Sequence, residues 1–232
     1  MNATHLAKSV IYWLEFERLC GRDQLFSEAS LKQPIGQYLI PKLPQKVEPE
    51  HNYPDQYQPA GPGRRRAMDF AVIRSGDNET LLHAVESKFI NSKREFKQEM
   101  FDDIYRLAWF DTIAGAEPCK RWIVIAGRWT NIRTKVFKAT TRLRPHGQMS
   151  ETFRGVLPKA LTSPLRHVQV NTAAPGIRKL WVEAAKAFGQ NQIPNAIEIR
   201  LAARFPEFPH STGFCCLIWS VTRSAGFHPY PI

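Results

Sequence analysis

Two carboxylates and a lysine lie within twenty residues of one another in the first half of the sequence. Asp69 is near the start of a short apolar run, and Glu86 and Lys88 stand two residues apart near the end of the next one. Residues two apart in a β-strand point to the same face, so Glu86 and Lys88 share a face. The pattern predicts either a divalent-metal site beside a lysine or an ordinary cross-strand ion pair.

The metal interpretation gives each of these residues a role. Mg²⁺ prefers oxygen ligands and is usually held by one or two carboxylates together with substrate phosphate, so Asp69 and Glu86 are the predicted ligands. The carbonyl of Ser87, between the two side chains, is a third predicted ligand. Lys88 is predicted to orient an attacking water or to help remove its proton.

The segments around these residues predict the elements that position them. The apolar run 68–73, the turn 75–78 and the β-branched run 80–90 predict a hairpin of two strands. An amphipathic helix is predicted from Ser92 to about Gly115, and Asp103 lies on its apolar side. The continuous apolar run 121–127 predicts a buried strand.

A first helix is predicted near the amino terminus, capped by Asn2 or Thr4 and closed by Gly21. Glu17 falls in the middle of the apolar stripe of this helix. A carboxylate on an inward face must be protonated, coordinate a cation or pair with a base, because burying a bare charge is costly. Arg22 is the nearest candidate for an ordinary ion pair.

The remaining segments predict a mixed α/β fold with helices flanking a central sheet. Prolines crowd residues 44–66, which are predicted to form a loop. A further helix is predicted over 177–188. Strict alternation over 197–205 predicts a strand with Ile197, Ile199, Leu201, Ala203 and Phe205 inward, and 214–221 predicts a returning strand. We expect one domain over 1–232, in which about 144–232 is an extension that completes the sheet.

Composition limits the class of protein. The chain has 232 residues, of which 43% are apolar, which is enough to bury a core and excludes a disordered protein. Its four cysteines form no CxxC pattern, so neither a disulfide scaffold nor a cysteine zinc site is indicated. No apolar run approaches the roughly 20 residues of a membrane span. We therefore expect no signal peptide, no membrane anchor and a cytoplasmic location.

The positive charge is regional. The net charge is +11, yet residues 120–180 hold 13 of the basic residues and one acidic residue. A surface region of one sign attracts polyanions, so a nucleic acid is the expected partner, and an anionic membrane or a plain solvated basic face are the alternatives. The candidate phosphate-binding residues are Arg64, Arg65, Arg66, Arg128, Lys135, Lys138 and Arg142.

The order of these residues and elements resembles the PD-(D/E)XK nuclease superfamily. Asp69, sixteen intervening residues and then Glu86-Ser87-Lys88 resemble its D-x(n)-E-x-K core. The predicted helix, hairpin, helix and buried strand over about 3–143 follow its order. Met68 stands where the family usually has proline, which leaves the metal role of the aspartate intact.

The resemblance implies a restriction-endonuclease-like fold and an enzyme. It implies Mg²⁺-dependent (or Mn²⁺-dependent) hydrolysis of phosphodiester bonds by an endonuclease, since members of the family cut DNA more often than RNA. Glu17 corresponds to the glutamate of the leading helix and joins Asp69, Glu86 and Lys88 in the implied catalytic set. Gln98 is either a functional glutamine or part of a solvated helix face. A homodimer or a larger bacterial defence complex is implied by analogy alone.

Two other functions are compatible with the same residues. A nucleic-acid-binding accessory protein could keep the fold without cutting. A basic protein–protein module, such as an immunity or assembly factor, would bind neither metal nor DNA in a salt-sensitive way. The presence of all three of Asp69, Glu86 and Lys88 favours the enzyme.

Overall fold

The computed structural model describes residues 1–52, 67–74, 80–92, 97–109, 119–137, 157, 164–170, 175–223 and 227–229. The predicted turn at 75–78, the residues Arg64, Arg65, Arg66, Lys138 and Arg142, and most of 144–163 lie outside these ranges.

A seven-stranded mixed sheet forms the centre of the described structure, in the order β1-β2-β3-β4-β8-β7-β5. Its strands are β1 (Lys46–Asn52), β2 (Ala67–Arg74), β3 (Thr80–Ile90), β4 (Lys120–Arg128), β5 (Leu165–Gln169), β7 (Ala196–Phe205) and β8 (Phe214–Arg223). The β3–β4 pair is parallel and the other pairs are antiparallel. Two short strands, β6 (Gln192–Pro194) and β9 (Phe227–Pro229), pair separately.

Helices cover both faces of this sheet. The α-helices of the described residues are α1 (Ala3–Leu19), α2 (Glu28–Lys42), α3 (Lys97–Trp109), α4 (Trp129–Ile132) and α5 (Pro175–Ala187). A 3-10 helix spans Asp23–Leu25, and a π-helix spans Arg133–Phe137. Helices α1 and α2 pack on one face, and α3 and α5 pack on the other. The prediction of a mixed α/β fold with flanking helices is therefore confirmed. In the described part of the chain, no helix combines the length and apolar character needed to span a bilayer.

Each layer has its own buried core, because both faces of the central strands are apolar. On the α3 and α5 side, Phe101, Trp181 and Trp219 are fully buried. On the α1 and α2 side, Leu14 and Leu31 are fully buried against the opposite face. A strand that is covered on both faces is expected to be apolar, as β4 is over residues 122–127 between its charged ends.

Several predicted boundaries are confirmed. Asn2 caps α1 with its side-chain oxygen, which accepts from the amide of His5 at 3.1 Å, and Gly21 follows with a φ of +72°. The predicted hairpin forms as antiparallel β2 and β3, and the predicted buried strand forms as β4.

The prediction of a loop over 44–66 is wrong for Lys46–Asn52, which forms β1 at one edge of the sheet. Pro49 lowered the expectation of a strand because proline cannot donate a ladder hydrogen bond. An edge strand tolerates proline, since one side of its backbone needs no partner strand. The rest of this segment, 53–66, lies outside the described residues.

The predicted alternation of β7 is also interrupted. The β7–β8 register shifts between Leu201 and Ala203. Ile197, Ile199 and Leu201 face the α3 and α5 core as predicted, whereas Ala203 and Phe205 face the α1 side. A bulge adds one residue to a strand and so moves every later side chain to the other face.

His83 on β3 gives a prediction for the pH dependence of stability. The ring is buried, its Nδ1 lies 3.0 Å from the indole Nε1 of Trp122, and the indole N–H donates to it. Burial, helped by the positive charges of the amino terminus and Lys120, lowers the pKa of His83 from 6.5 to about 4. Native His83 therefore stays neutral while the unfolded chain takes up a proton below about pH 6.5.

We expect the free energy of unfolding to decrease as the pH falls from about 6.5 to about 4, by at most about 3 kcal/mol from this group. Below about pH 4, His83 is protonated in both states and its contribution to the free energy of unfolding no longer changes with pH. His83→Gln keeps an acceptor for the indole but does not titrate, so its stability should fall less over the same window. Urea unfolding of both proteins at pH 7, 5.5 and 4.5 measures the difference, and parallel profiles would contradict the assignment.

Candidate active site

Asp69 is fixed at the point where the β2–β3 ladder ends. The pairing of the two strands extends to Phe70 opposite Val85, and the next contact is made by a side chain. Oδ2 of Asp69 accepts from the amide of Ser87 at 2.8 Å and from its hydroxyl at 2.7 Å. The carboxylate is 8% exposed and is thus held against the residue between Glu86 and Lys88.

Glu86 and Lys88 are both buried, and each contacts one member of the Asp103–Arg106 pair on α3. Lys88 Nζ lies 3.0 Å from Oδ2 of Asp103, and Arg106 pairs with the other oxygen of Asp103. Arg106 also approaches Glu86, with 3.8 Å between Nη2 and Oε1. Asp103 and Arg106 therefore link the two side chains of the Glu86-Ser87-Lys88 segment.

Helix α2 contributes two further charges. Ser27 caps the helix in a reciprocal capping box with Ser30, which places Glu28 in the first turn. Glu28 Oε1 accepts from Lys88 Nζ at 2.9 Å. One turn later, on the same side of the helix, Lys32 Nζ lies 3.2 Å from Oδ1 of Asp69.

Lys32 has a second partner on β1. Its Nζ donates to Oε1 of Glu50 at 2.7 Å. Partial burial alone would lower the pKa of Lys32, but the contacts with Glu50 and Asp69 outweigh it and raise the pKa. Lys32 is therefore a cation in the site at every physiological pH.

These contacts form two charged groups. Lys32 pairs with Glu50 and Asp69, whereas Lys88 and Arg106 pair with Glu28, Asp103 and Glu86. The hydrogen bonds from Ser87 to Asp69 bring the first group beside the strand that carries Glu86 and Lys88. Asp69 and Glu86 are buried, and buried carboxylates need compensation by cations.

No protein-family model matches this sequence, and neither a curated protein nor a solved structure matches the chain. The residues of this chain and their contacts are therefore the basis for assigning a function.

The site offers two carboxylates, from Asp69 and Glu86, as ligands for Mg²⁺ or Mn²⁺. Among the residues the structure describes, no group of three or more His, Cys, Asp or Glu side chains is arranged to hold a metal ion. Asp69 and Glu86 offer hard oxygen donors, and Mg²⁺ typically uses one or two carboxylates and keeps several waters. Ser87, predicted as a ligand through its carbonyl, orients Asp69 through its amide and hydroxyl.

Glu17 is predicted to join this site, and the structure gives it Arg22 as its partner. Glu17 pairs with Arg22, with 2.5 Å between Oε2 and Nε and 3.0 Å between Oε1 and Nη2. The contact with Arg22 lowers the pKa of Glu17. The physical reason is packing, since α1 lies over β7 and β8 while α2 lies beside β1 and β3. The helical glutamate that contacts Lys88 is Glu28 of α2.

Sequence reasoning missed Glu28, Lys32 and Arg106, and it noticed Asp103 without giving it a role. A carboxylate on the apolar side of an amphipathic helix was a usable signal, because such a residue needs a buried partner. Arg106 lies three residues further along the same helix, within reach of Asp103, and could have been predicted as its partner. Gln98, by contrast, bonds to Asp102 at 2.8 Å and to the carbonyl of Leu180 at 3.3 Å.

The described basic candidates are engaged in contacts of their own. Arg128 donates to the carbonyl of Thr212 at 3.1 Å and stacks over Phe214 at 5.2 Å. Lys135 donates to the carbonyl of Ser92 at 2.9 Å. The structure thus places Arg128 and Lys135 near the ends of β4 and β3, and it does not bring either into contact with Asp69, Glu86 or Lys88.

Proposed function

We propose that this chain is a Mg²⁺-dependent nuclease that hydrolyses phosphodiester bonds, DNA more readily than RNA. The observation that carries the proposal is the direct contact of buried Asp69 with Ser87, which lies between the buried residues Glu86 and Lys88. Asp69 and Glu86 offer the one or two carboxylates that typically hold Mg²⁺.

Each residue has a distinct role in this proposal. Asp69 and Glu86 hold the cation, and Ser87 fixes the orientation of the Asp69 carboxylate. Bound Mg²⁺ supplies Lewis-acid stabilisation of the charge that develops on phosphate and the leaving oxygen. Lys88 orients the attacking water through Nζ, which Glu28 and Asp103 hold from two sides.

The fold supports the finer proposal of a restriction-endonuclease-like architecture. The strands β1, β2 and β3 follow one another as an antiparallel series, and α3 then leads to β4, which lies parallel to β3. The candidate residues lie on β2 and β3 of this unit. The same unit carries the sequence resemblance to the PD-(D/E)XK superfamily.

The charge of the chain supports a nucleic acid as the partner. Residues 120–180 hold 13 basic residues against one acidic residue. Phosphate contacts from such a region make binding strongly dependent on salt. A homodimer or a defence complex, and a cytoplasmic location, remain proposals that depend on the family resemblance and on the composition.

Cleavage assays test the proposal. Purified protein is incubated with plasmid, linear duplex DNA, single-stranded DNA and RNA, with Mg²⁺ or with EDTA. We expect cleavage of at least one DNA substrate with Mg²⁺, none with EDTA, and none by Asp69→Asn. Salt-sensitive DNA binding without cleavage would favour the non-catalytic accessory protein, and absence of both would favour the protein–protein module.

A further inference from the structure

We propose that Lys32 is a phosphate-binding residue that pairs with Asp69 in the metal-free protein and transfers to a substrate phosphate when a divalent cation binds. The inference rests on the proposed function, because it assumes that Asp69 binds the cation. It assigns Lys32 a role in substrate binding and couples the binding of metal to the binding of nucleic acid.

The two oxygens of Asp69 have separate partners. Oδ2 takes both hydrogen bonds from Ser87, so the orientation of the carboxylate does not depend on Lys32. Oδ1 is the remaining oxygen and lies 3.2 Å from Lys32 Nζ. A cation on Oδ1 would therefore stand within a few ångströms of the ammonium. Two positive charges at that distance repel strongly, so Lys32 has to move.

Glu50 keeps Lys32 near the site when it leaves Asp69. Its Oε1 accepts from Nζ at 2.7 Å, and the side chain of Lys32 is 28% exposed, so Nζ can reach a ligand from solvent. A lysine is a flexible point charge that can change partners without a change of backbone. The anion that enters the site with substrate is a phosphate, which is the expected new partner of Lys32.

The backbone at Glu50 is unusual in a way that supports a functional role. Pro49 pairs with Phe70 and His51 pairs with Met68, which puts Glu50 opposite Asp69. Glu50 has a φ of +51°, a conformation that residues other than glycine seldom adopt and that costs free energy. The strained residue is the one that holds Lys32 beside Asp69.

Binding of Mn²⁺ in the absence of nucleic acid, measured by electron paramagnetic resonance, tests the first half of the inference. Lys32→Met removes the competing cation, and we expect it to bind Mn²⁺ about tenfold more tightly than wild type. Lys42→Met removes an exposed lysine at the end of the same helix and is the matched control, with no change expected. Lys32→Gln is a second variant, with the same expectation.

The salt dependence of DNA binding tests the second half. A short duplex is titrated with EDTA or with Ca²⁺, a hard cation that takes the same oxygen ligands. With Ca²⁺, Lys32→Met should reduce the slope of log K against log salt by about 1, as expected for the loss of one phosphate contact. With EDTA, the slope should equal that of wild type.

The outcomes separate the two proposals. If Asp69→Asn abolishes Mn²⁺ binding but Lys32→Met and Lys32→Gln bind it no more tightly than Lys42→Met, the metal site stands and the role of Lys32 is wrong. If Lys32→Met lowers the slope of log K against log salt equally with EDTA and with Ca²⁺, the proposed transfer of Lys32 from Asp69 to phosphate is wrong. If Mn²⁺ binding does not depend on Asp69, the proposed function itself fails.

Discussion

Lys88→Met is expected to reduce DNA cleavage by about 100- to 10,000-fold, the usual contribution of a positioned acid–base or water-orienting group. Lys88 Nζ is held at 2.9 Å from Glu28 and 3.0 Å from Asp103, at the end of the strand that carries Glu86. Methionine fills the same volume but cannot orient or exchange a proton with a water. Steady-state cleavage of the best DNA substrate measures the effect.

Controls separate chemistry from folding in this experiment. Lys88→Met leaves Glu28 and Asp103 without this cation, so its melting temperature is measured alongside, and Lys88→Gln provides a polar alternative. Glu28→Gln should weaken cleavage because it removes one of the groups that hold Lys88. Glu17→Gln should not, since Glu17 pairs with Arg22. Equal cleavage by wild type and Lys88→Met would end the proposal of a catalytic lysine.

Gly127→Ala is expected to destabilise the protein by about 2–4 kcal/mol. Gly127 lies opposite Ile90 in the parallel β3–β4 pair and has a φ of +157°, which is strained for any residue with a Cβ. A Cβ at this position would lie 2.4 Å from the carbonyl oxygen of Ile90, which is backbone and cannot turn away. Either β3 or β4 would therefore have to shift at Ile90, which lies two residues beyond Lys88.

Gly213→Ala is the matched control for this prediction. A Cβ there would meet its nearest atom, the carbonyl oxygen of His210, at 3.5 Å, which is an ordinary contact. We expect a change of about 0.5 kcal/mol or less. Urea denaturation gives both free energies of unfolding, and equal stability of the two variants would contradict the close approach of β3 and β4.

The core of the candidate site was predictable because it depends on short-range geometry. The period of two along β3 puts Glu86 and Lys88 on one face, and the hairpin brings Asp69 on β2 into contact with Ser87 between them. The same local rules predicted the cap at Asn2 and the buried strand β4. A bulge in β7 and a proline in the edge strand β1 broke those rules and produced the wrong predictions there.

The amino-acid sequence by itself determined the strand pair, its alternation and the closeness of Asp69 to the Glu86-Ser87-Lys88 segment, because each depends on neighbours within about twenty positions. Only the tertiary structure decided that Glu28 of α2 contacts Lys88, and that Asp103 and Arg106 join Lys88 to Glu86. Glu28 and Lys88 are 60 positions apart. The packing of whole helices on the two faces of the sheet sets such contacts, and no local period encodes it.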